Sequence, residues 1–252
     1  MRFNPIDYPL TFTRPARLSG SSAWIEHIPF AFTLVEMARP RLIVELGTHG
    51  GDSYCAFCEA VARLQLPAQC VAVDTWKGDP HAGYYGPAVL EELRSFHDAR
   101  YRSFSTLLRS EFDEAADNFA DGTIDLLHVD GFHTYEAVSH DYQTWRPKLS
   151  DASVVLFHDT TVRRPDFGVR KLWQELSSQF PSFNFEHGNG LGVLAFGPDQ
   201  PAATTRFFET AIENPAGIRQ FYTAVGNRVA LWQNITSLAQ AAFQQLDEGT
   251  GG

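Results

Sequence analysis

The stretch Arg41-Leu42-Ile43-Val44-Glu45-Leu46-Gly47-Thr48-His49-Gly50-Gly51-Asp52-Ser53 constrains the fold of this chain more than any other. A short apolar run bounded by turn residues suits the buried central strand of a parallel sheet, and the glycines after it let the backbone bend sharply and approach a ligand. The details argue against the usual ligands of such a turn. A dinucleotide fingerprint needs Gly-x-Gly-x-x-Gly, but the residues two and five after Gly47 are His49 and Asp52, and no Gly-x-x-x-x-Gly-Lys-Ser/Thr loop occurs. The phosphate readings weaken accordingly. Glu45, a carboxylate at the strand end two residues before the first glycine, suits a ligand with a positively charged end instead.

Composition narrows the class of protein. A chain of 252 residues buries a sizeable core and is most simply one α/β domain with additions. Its formal charge of −10 opposes a nucleic-acid footprint, which requires a concentrated basic surface. No run of about 18 apolar residues suggests a membrane span, and the N-terminus lacks the layout of a signal peptide, so a cytoplasmic protein is expected. Cys55 and Cys58 form a Cys-x-x-Cys that suits a redox pair or half a zinc site; with no second pair, two small core residues on the helix after the glycine turn is the better reading.

The rest of the chain reads as alternating strands and helices. Residues 1–20 are an irregular arm; Ser21-Ser22 offers an N-cap for a helix over 23–37, which Pro29 must kink or split. Within it, Trp24 and His27 either face a substrate or serve the structure. Helix 52–64 and strand 69–74 follow. Asp74, ending that strand, is placed to accept the hydroxyls of a ribose, or else is a cap or surface acid. The loop 75–86 is rich in Gly and aromatics and reads as a cover over a pocket, with an ordinary packed connection as the alternative. A helix over 87–97, a strand over 105–109 and a helix starting near 111–113 come next. The strand 123–130 ends in Asp130, and the strand 153–157 ends in His158-Asp159, so one sheet edge gathers two acids and an imidazole. A helical pattern over 167–180 precedes two short strands around Asn189-Gly190, a hairpin signal. Residues 199–246 are helical, with Phe207, Phe208, Ile212, Tyr222, Val229, Leu231, Ile235, Leu238 and Phe243 among those spaced for packing on a surface, and 249–252 are expected to fray.

With these pieces assembled, residues 20–197 resemble class I S-adenosylmethionine-dependent methyltransferases, specifically a bacterial group found with glycosyltransferases in polysaccharide gene clusters. The resemblance rests on Glu45 to Gly51, Asp74 to Asp79, His128 to Glu136 and Leu156 to Thr160, in that order and spacing. It implies a Rossmann-like α/β fold: a seven-stranded, mostly parallel sheet with a reversed last strand and helices on both faces. It divides the chain into an N-terminal arm and helix over the pocket (1–40), a cofactor-binding domain (41–197) and a helical extension (198–252). By the same resemblance Glu45, Gly47, Thr48, Gly51 and Ser53 line the methionine end of S-adenosylmethionine. Asp74 holds the ribose, with Thr75 and Trp76 beside it, and Ser110 and Glu111 border the adenine. Related metal-dependent sugar methyltransferases bind magnesium with an acid after strand four and an acidic pair after strand five. The matching residues here are Asp130 and His158-Asp159. The imidazole puts that site in question and widens the choice from magnesium to manganese, iron or zinc.

The expected chemistry is O-methylation of a sugar or glycan-related hydroxyl. A divalent ion, magnesium or manganese, would lower the pKa of that hydroxyl, with His133 as the base. Otherwise His133 caps a helix start. Competing readings are a metal-dependent enzyme of another reaction type, and a non-catalytic cofactor-binding module that meets a glycosyltransferase or a second copy through 199–246. An NAD-linked oxidoreductase is disfavoured by the broken fingerprint. The expected partners are a small-molecule or glycan acceptor, and no nucleic acid.

Overall fold

The computed structural model describes residues 2–20 and 22–249, with side chains described as far as 239. The expectations for Ser21, the side chain of Phe243 and residues 250–252 fall outside that description. Seven strands, β1 (Leu42–Leu46), β2 (Gln69–Asp74), β3 (Ser105–Arg109), β4 (Ile124–Val129), β5 (Leu149–His158), β6 (Ser182–Phe185) and β7 (Leu191–Ala195), form one sheet in the order 3-2-1-4-5-7-6. β1 pairs in parallel with β2 and β4, and β4 with β5; β7 runs antiparallel to β5 and to β6. The reversed last strand is therefore inserted inside the sheet rather than added at its edge. β1 and β4 are the central strands, and their residues Ile43 to Leu46 and Ile124 to Val129 are buried, as parallel strands covered on both faces require.

Helices cover both faces. One core gathers α1 (Ile28–Ala38), α2 (Asp52–Leu64) and α3 (Ala88–Asp98) with the C-terminal α7 (Ala202–Glu213) and α8 (Pro215–Gly249); the other gathers α4 (Phe112–Ala116), α5 (Tyr135–Trp145) and α6 (Val169–Ser177). The segment around Pro29 does split: a 3-10 turn over Ala23–His27, capped by the Ser22 hydroxyl, leads into α1 with Pro29 in its first turn, where its missing N–H costs nothing. Cys55 and Cys58 are buried free thiols on α2, and burial pushes both up from the ordinary thiol range.

Two boundaries move. β5 begins at Leu149, four residues before the apolar run, because Leu149 still pairs with Ile124 across a register shift in β4. α6 begins at Val169, since Phe167 and Gly168 dock onto the chain at His133. The C-terminal extension packs on its own domain: Phe207, Tyr222 and Val229 join the core around Phe30 and Phe185. Ile212, Leu231, Ile235 and Leu238, spaced for packing on this domain or on another chain, do not pack on this domain and are exposed. No described helix is long and apolar enough to cross a membrane.

Candidate active site

The parallel strands direct their carboxyl ends to one edge, and a cavity of about 390 Å³ opens there. On its first side lies the turn after β1. Gly47 has φ +85°, and a Cβ on it would meet the carbonyl oxygen of Asp130 at 2.1 Å, so only glycine lets β1 pass so close to the end of β4. Thr48, Gly51, Asp52 and Ser53 line the cavity from this turn and from the first residues of α2. The N-terminal arm fastens the turn from outside: Ser19 donates to Asp52 through both its N–H and its hydroxyl, and Arg17 Nε donates to the Gly50 carbonyl at 2.6 Å.

Asp74 ends β2 in the cavity wall. One of its carboxylate oxygens accepts from the Thr48 and His49 amides at 2.8 Å each, and the other accepts from the Trp76 amide at 2.6 Å. These bonds hold the carboxylate rigid and leave further lone pairs for a ligand. Thr75 and Glu111 line the cavity as well. Three of the expected cofactor residues, Glu45, Trp76 and Ser110, do not. Trp76 is buried behind the wall, its indole N–H bonded to the His49 carbonyl, and Ser110 turns its hydroxyl onto the carbonyl of Glu111. Phe112, the residue after Glu111, lines the cavity as well.

Glu45 is fully buried below the turn. Its register partner on β4 is His128, and one Glu45 oxygen lies 2.7 Å from His128 Nδ1. His128 Nε2 lies 3.0 Å from the indole N–H of Trp24. An indole can only donate, so Nε2 accepts, the proton sits on Nδ1, and His128 donates to Glu45. Burial pushes the Glu45 carboxyl up, and the His128 bond opposes that rise. The sequence marks His128 only as the start of the His128 to Glu136 stretch and gives it no role; an imidazole inside a mostly apolar buried strand is the signal of one. Trp24 lines the cavity, whereas His27 is buried behind it.

The opposite side holds Asp130, His133, His158 and Asp159. His133 Nε2 lies 2.9 Å from Asp159 and 3.6 Å from Asp130. His158 Nδ1 lies 3.3 Å from Asp130, and its Nε2 donates to the Gly188 carbonyl at 2.9 Å. Atoms of Asp130, His133 and Asp159 converge within 4.8 Å of one another, a spacing that suits a metal ion; His158, expected among the ligands, is not in that set and spends its second nitrogen on the hairpin tip. Burial opposes charge on both imidazoles. The hydrogen bonds and charges of Asp130 and Asp159 outweigh it, raising His133 to about 10, and the charge of Asp130 likewise raises His158 to about 8. Asp130 is correspondingly held well below the usual carboxylate range despite its burial, chiefly by the charge of His158. The two carboxylates therefore favour the imidazolium form of His133 over the free base.

A clasp closes over His133. The Phe167 ring stacks on it at 4.8 Å and 7°, His81 stacks on Phe167 at 4.5 Å and 16°, and His81 pairs with Asp166 at 2.9 Å. Asp159, His49 and Asn189, all lining the cavity, have φ between +47° and +65°. Such left-handed non-glycine residues concentrate where a site holds its backbone out of the common wells.

These shifts predict a pH dependence. A raised imidazole pKa stabilises the fold fully below about 6.5 and loses that contribution as pH rises through the folded value. In chelator, the difference in melting temperature between the wild type and His133→Gln is expected to shrink as pH rises from 6.5 towards 10. A difference that stays constant over that range would show that the paired imidazolium does not support the fold.

Comparison with known proteins gives a consistent result. A family model described as a methyltransferase domain matches residues 44–160. An uncharacterized protein, y4gI, of Sinorhizobium fredii (strain NBRC 101917 / NGR234) is 50% identical over 194 residues, 77% of this chain and 21% of that protein. The chain thus spans about a fifth of that relative's length. Among solved structures, the SAH-bound methyltransferase PaMTH1 of Podospora anserina superposes with a TM-score of 0.53 at 15% identity, covering 68% of this chain and 77% of that one. The O-methyltransferase TomG of Streptomyces achromogenes, in complex with SAM, gives 0.52 at 16% identity over 72% and 83%. CalS11, a TDP-rhamnose 3'-O-methyltransferase of calicheamicin biosynthesis, gives 0.51 at 18% identity over 69% and 78%. At these identities the likeness is one of fold.

Proposed function

We propose that this chain, a class I methyltransferase fold whose residues 44–160 match a methyltransferase domain, moves the methyl group of S-adenosylmethionine to a hydroxyl of a small molecule, in the first place a sugar or glycan precursor. The observation that carries this reading is one shared cavity in which the Gly47 to Ser53 turn and Asp74 face Asp130, His133 and Asp159. The first side fits the cofactor. Just below it, Oε1 of Glu45 and the Thr48 hydroxyl are buried without a hydrogen-bond partner, and in its wall Asp74 presents a fixed carboxylate for ribose hydroxyls. A solved methyltransferase of the same fold is complexed with SAM.

In the transfer the hydroxyl oxygen forms a bond to the methyl carbon as the sulfur–methyl bond breaks, and the hydroxyl proton must leave. Asp130, His133 and Asp159 fit a divalent ion, magnesium or manganese, by the convergence of two carboxylates and an imidazole and by the unpartnered buried oxygen of Asp159. Such an ion, when bound, supplies positive charge that lowers the pKa of the hydroxyl. His133 serves either as its third ligand or as the base, since its one inward nitrogen faces both carboxylates. As a base, it must first give up the proton those carboxylates retain. His158 orients Asp130 from the other side and ties it to the hairpin tip.

Calorimetric titration with S-adenosylmethionine, its demethylated product and NAD tests the cofactor, and the expected result is affinity for the first two. Binding of neither would overturn the reading. A methyl-transfer screen against nucleotide sugars and oligosaccharides then tests the acceptor, and equal turnover in chelator would remove the metal. One feature favours a second reading, a module partnering a glycosyltransferase or a second copy: the exposed stripe Leu231, Ile235 and Leu238 on α8. Cofactor binding without turnover on any acceptor would select it. A cytoplasmic location is part of the leading reading.

A further inference from the structure

A second cleft lies behind the segment that carries Asp159. It measures about 550 Å³ and is walled by Thr161 and Arg163 after β5, Arg170 and Trp173 of α6, and Asn184 and Glu186 near the end of β6. Its volume is that of an ordinary small-ligand site. Thr161 is also the point where the two clefts are divided, because its N–H donates to the Asn189 carbonyl at 3.0 Å and so pins the hairpin tip between them.

The polar groups of this cleft are unbalanced. Glu186, its single carboxylate, is already engaged by Arg219 at 3.3 Å from outside the cleft. Arg163 and Arg170 have no ion-pair partner among the described residues, so two guanidinium groups face the cleft with their charge unmatched, in a chain whose formal charge is −10. Asn184 Oδ1 accepts from the Thr160 hydroxyl at 2.7 Å, which orients the amide so that its NH₂ is the end left over. Thr161 adds a hydroxyl, and the largely buried Trp173 closes the cleft from the core side. Surplus donors and surplus positive charge define the complementary ligand: an anion with several oxygens on a hydroxylated skeleton.

We propose that this cleft binds a phosphorylated or carboxylated saccharide-sized ligand, with Arg163 and Arg170 on the anionic oxygens and Asn184 and Thr161 on the hydroxyls. Planar guanidinium groups bind phosphate and carboxylate in the same two-pronged manner, so both chemistries satisfy the geometry. A ligand held here touches Thr161, two residues from Asp159, and so bears on the left-handed turn that aims that carboxylate into the main cavity.

The test is calorimetric titration of the whole chain at low ionic strength with inorganic pyrophosphate and, separately, with glucuronate. Saturable binding of at least one anion at one site per chain is expected. Arg163→Gln/Arg170→Gln should weaken it by about tenfold or more, the usual effect of removing charged hydrogen bonds. Arg94→Gln/Arg102→Gln, which removes the same charge from residues outside the cleft, should leave it within about twofold. The melting temperature of each variant reports that the fold is intact. The preferred anion identifies the source of the charge, phosphate or carboxylate. No saturable binding by either anion, or equal weakening by the two double variants, would overturn the proposal.

Discussion

Gly47→Ala is expected to reduce affinity for S-adenosylmethionine by about a hundredfold or more and to lower the melting temperature markedly. Its backbone is in the left-handed region at φ +85°, which by itself costs an L-residue roughly 1–2 kcal/mol. The larger part is steric. A methyl group would sit 2.1 Å from the Asp130 carbonyl oxygen and 2.6 Å from its carbon, and both are backbone atoms that no rotamer can move aside. Relief requires β1 and β4 to separate at the edge where the Asp130 amide bonds to the Leu46 carbonyl and the Gly47 amide bonds to the Val73 carbonyl. That motion displaces the cofactor turn and Asp130 together. Gly83→Ala is the control: its φ is +82°, but nothing lies within 4 Å of the added atom, so the conformational cost alone should appear. Wild-type affinity in Gly47→Ala, by calorimetry, would show that this close approach does not organise the cavity.

His128→Leu is expected to destabilise the protein by about 3–5 kcal/mol, because breaking a buried polar pair strands the partner that remains. The imidazole is fully buried, donating to Glu45 and accepting from Trp24, so its loss leaves a buried carboxyl and a buried indole N–H unsatisfied at once. For a chain of this size the melting temperature should fall by roughly 10 °C. Trp24→Phe breaks only the neutral end and should cost about 1–2 kcal/mol beyond the packing change. Glu45→Gln keeps an oxygen to accept from His128 and should be mild in stability. It therefore serves as the probe of cofactor contact, since a large loss of S-adenosylmethionine affinity with little loss of stability assigns Glu45 to the ligand. A melting temperature of His128→Leu close to that of the wild type would refute the relay.

The legible part of the site follows strand ends. Asp74, Asp130 and Asp159 could be placed at one edge because parallel strands joined by helical crossovers all point the same way. Gly47, Gly51 and Thr48 were legible because a strand must turn sharply to enter the following helix. Other contributions arise between segments far apart in the chain. Phe167 stacks on His133, Asn189 reaches the cavity from the hairpin tip, and Trp24 reaches His128 across 104 positions. Ser110 and Trp76 are the converse case: each lies next to a cavity residue, Glu111 or Thr75, but turns its own side chain onto a carbonyl.

By itself the sequence determined the alternation of strands and helices, the glycine turn that only glycine can make, and which residues of each strand reach the carboxyl edge. Those follow from local sterics and from the two periodicities of the backbone. The tertiary structure alone decided the protonation and partners of the titratable groups. Whether His133 is a base or an imidazolium depends on two carboxylates brought within 3.6 Å of it by β4 and β5, and whether Glu45 faces a ligand or an imidazole depends on its register with β4. Electrostatic energy varies with distance and burial in space, and neither quantity is written along the chain.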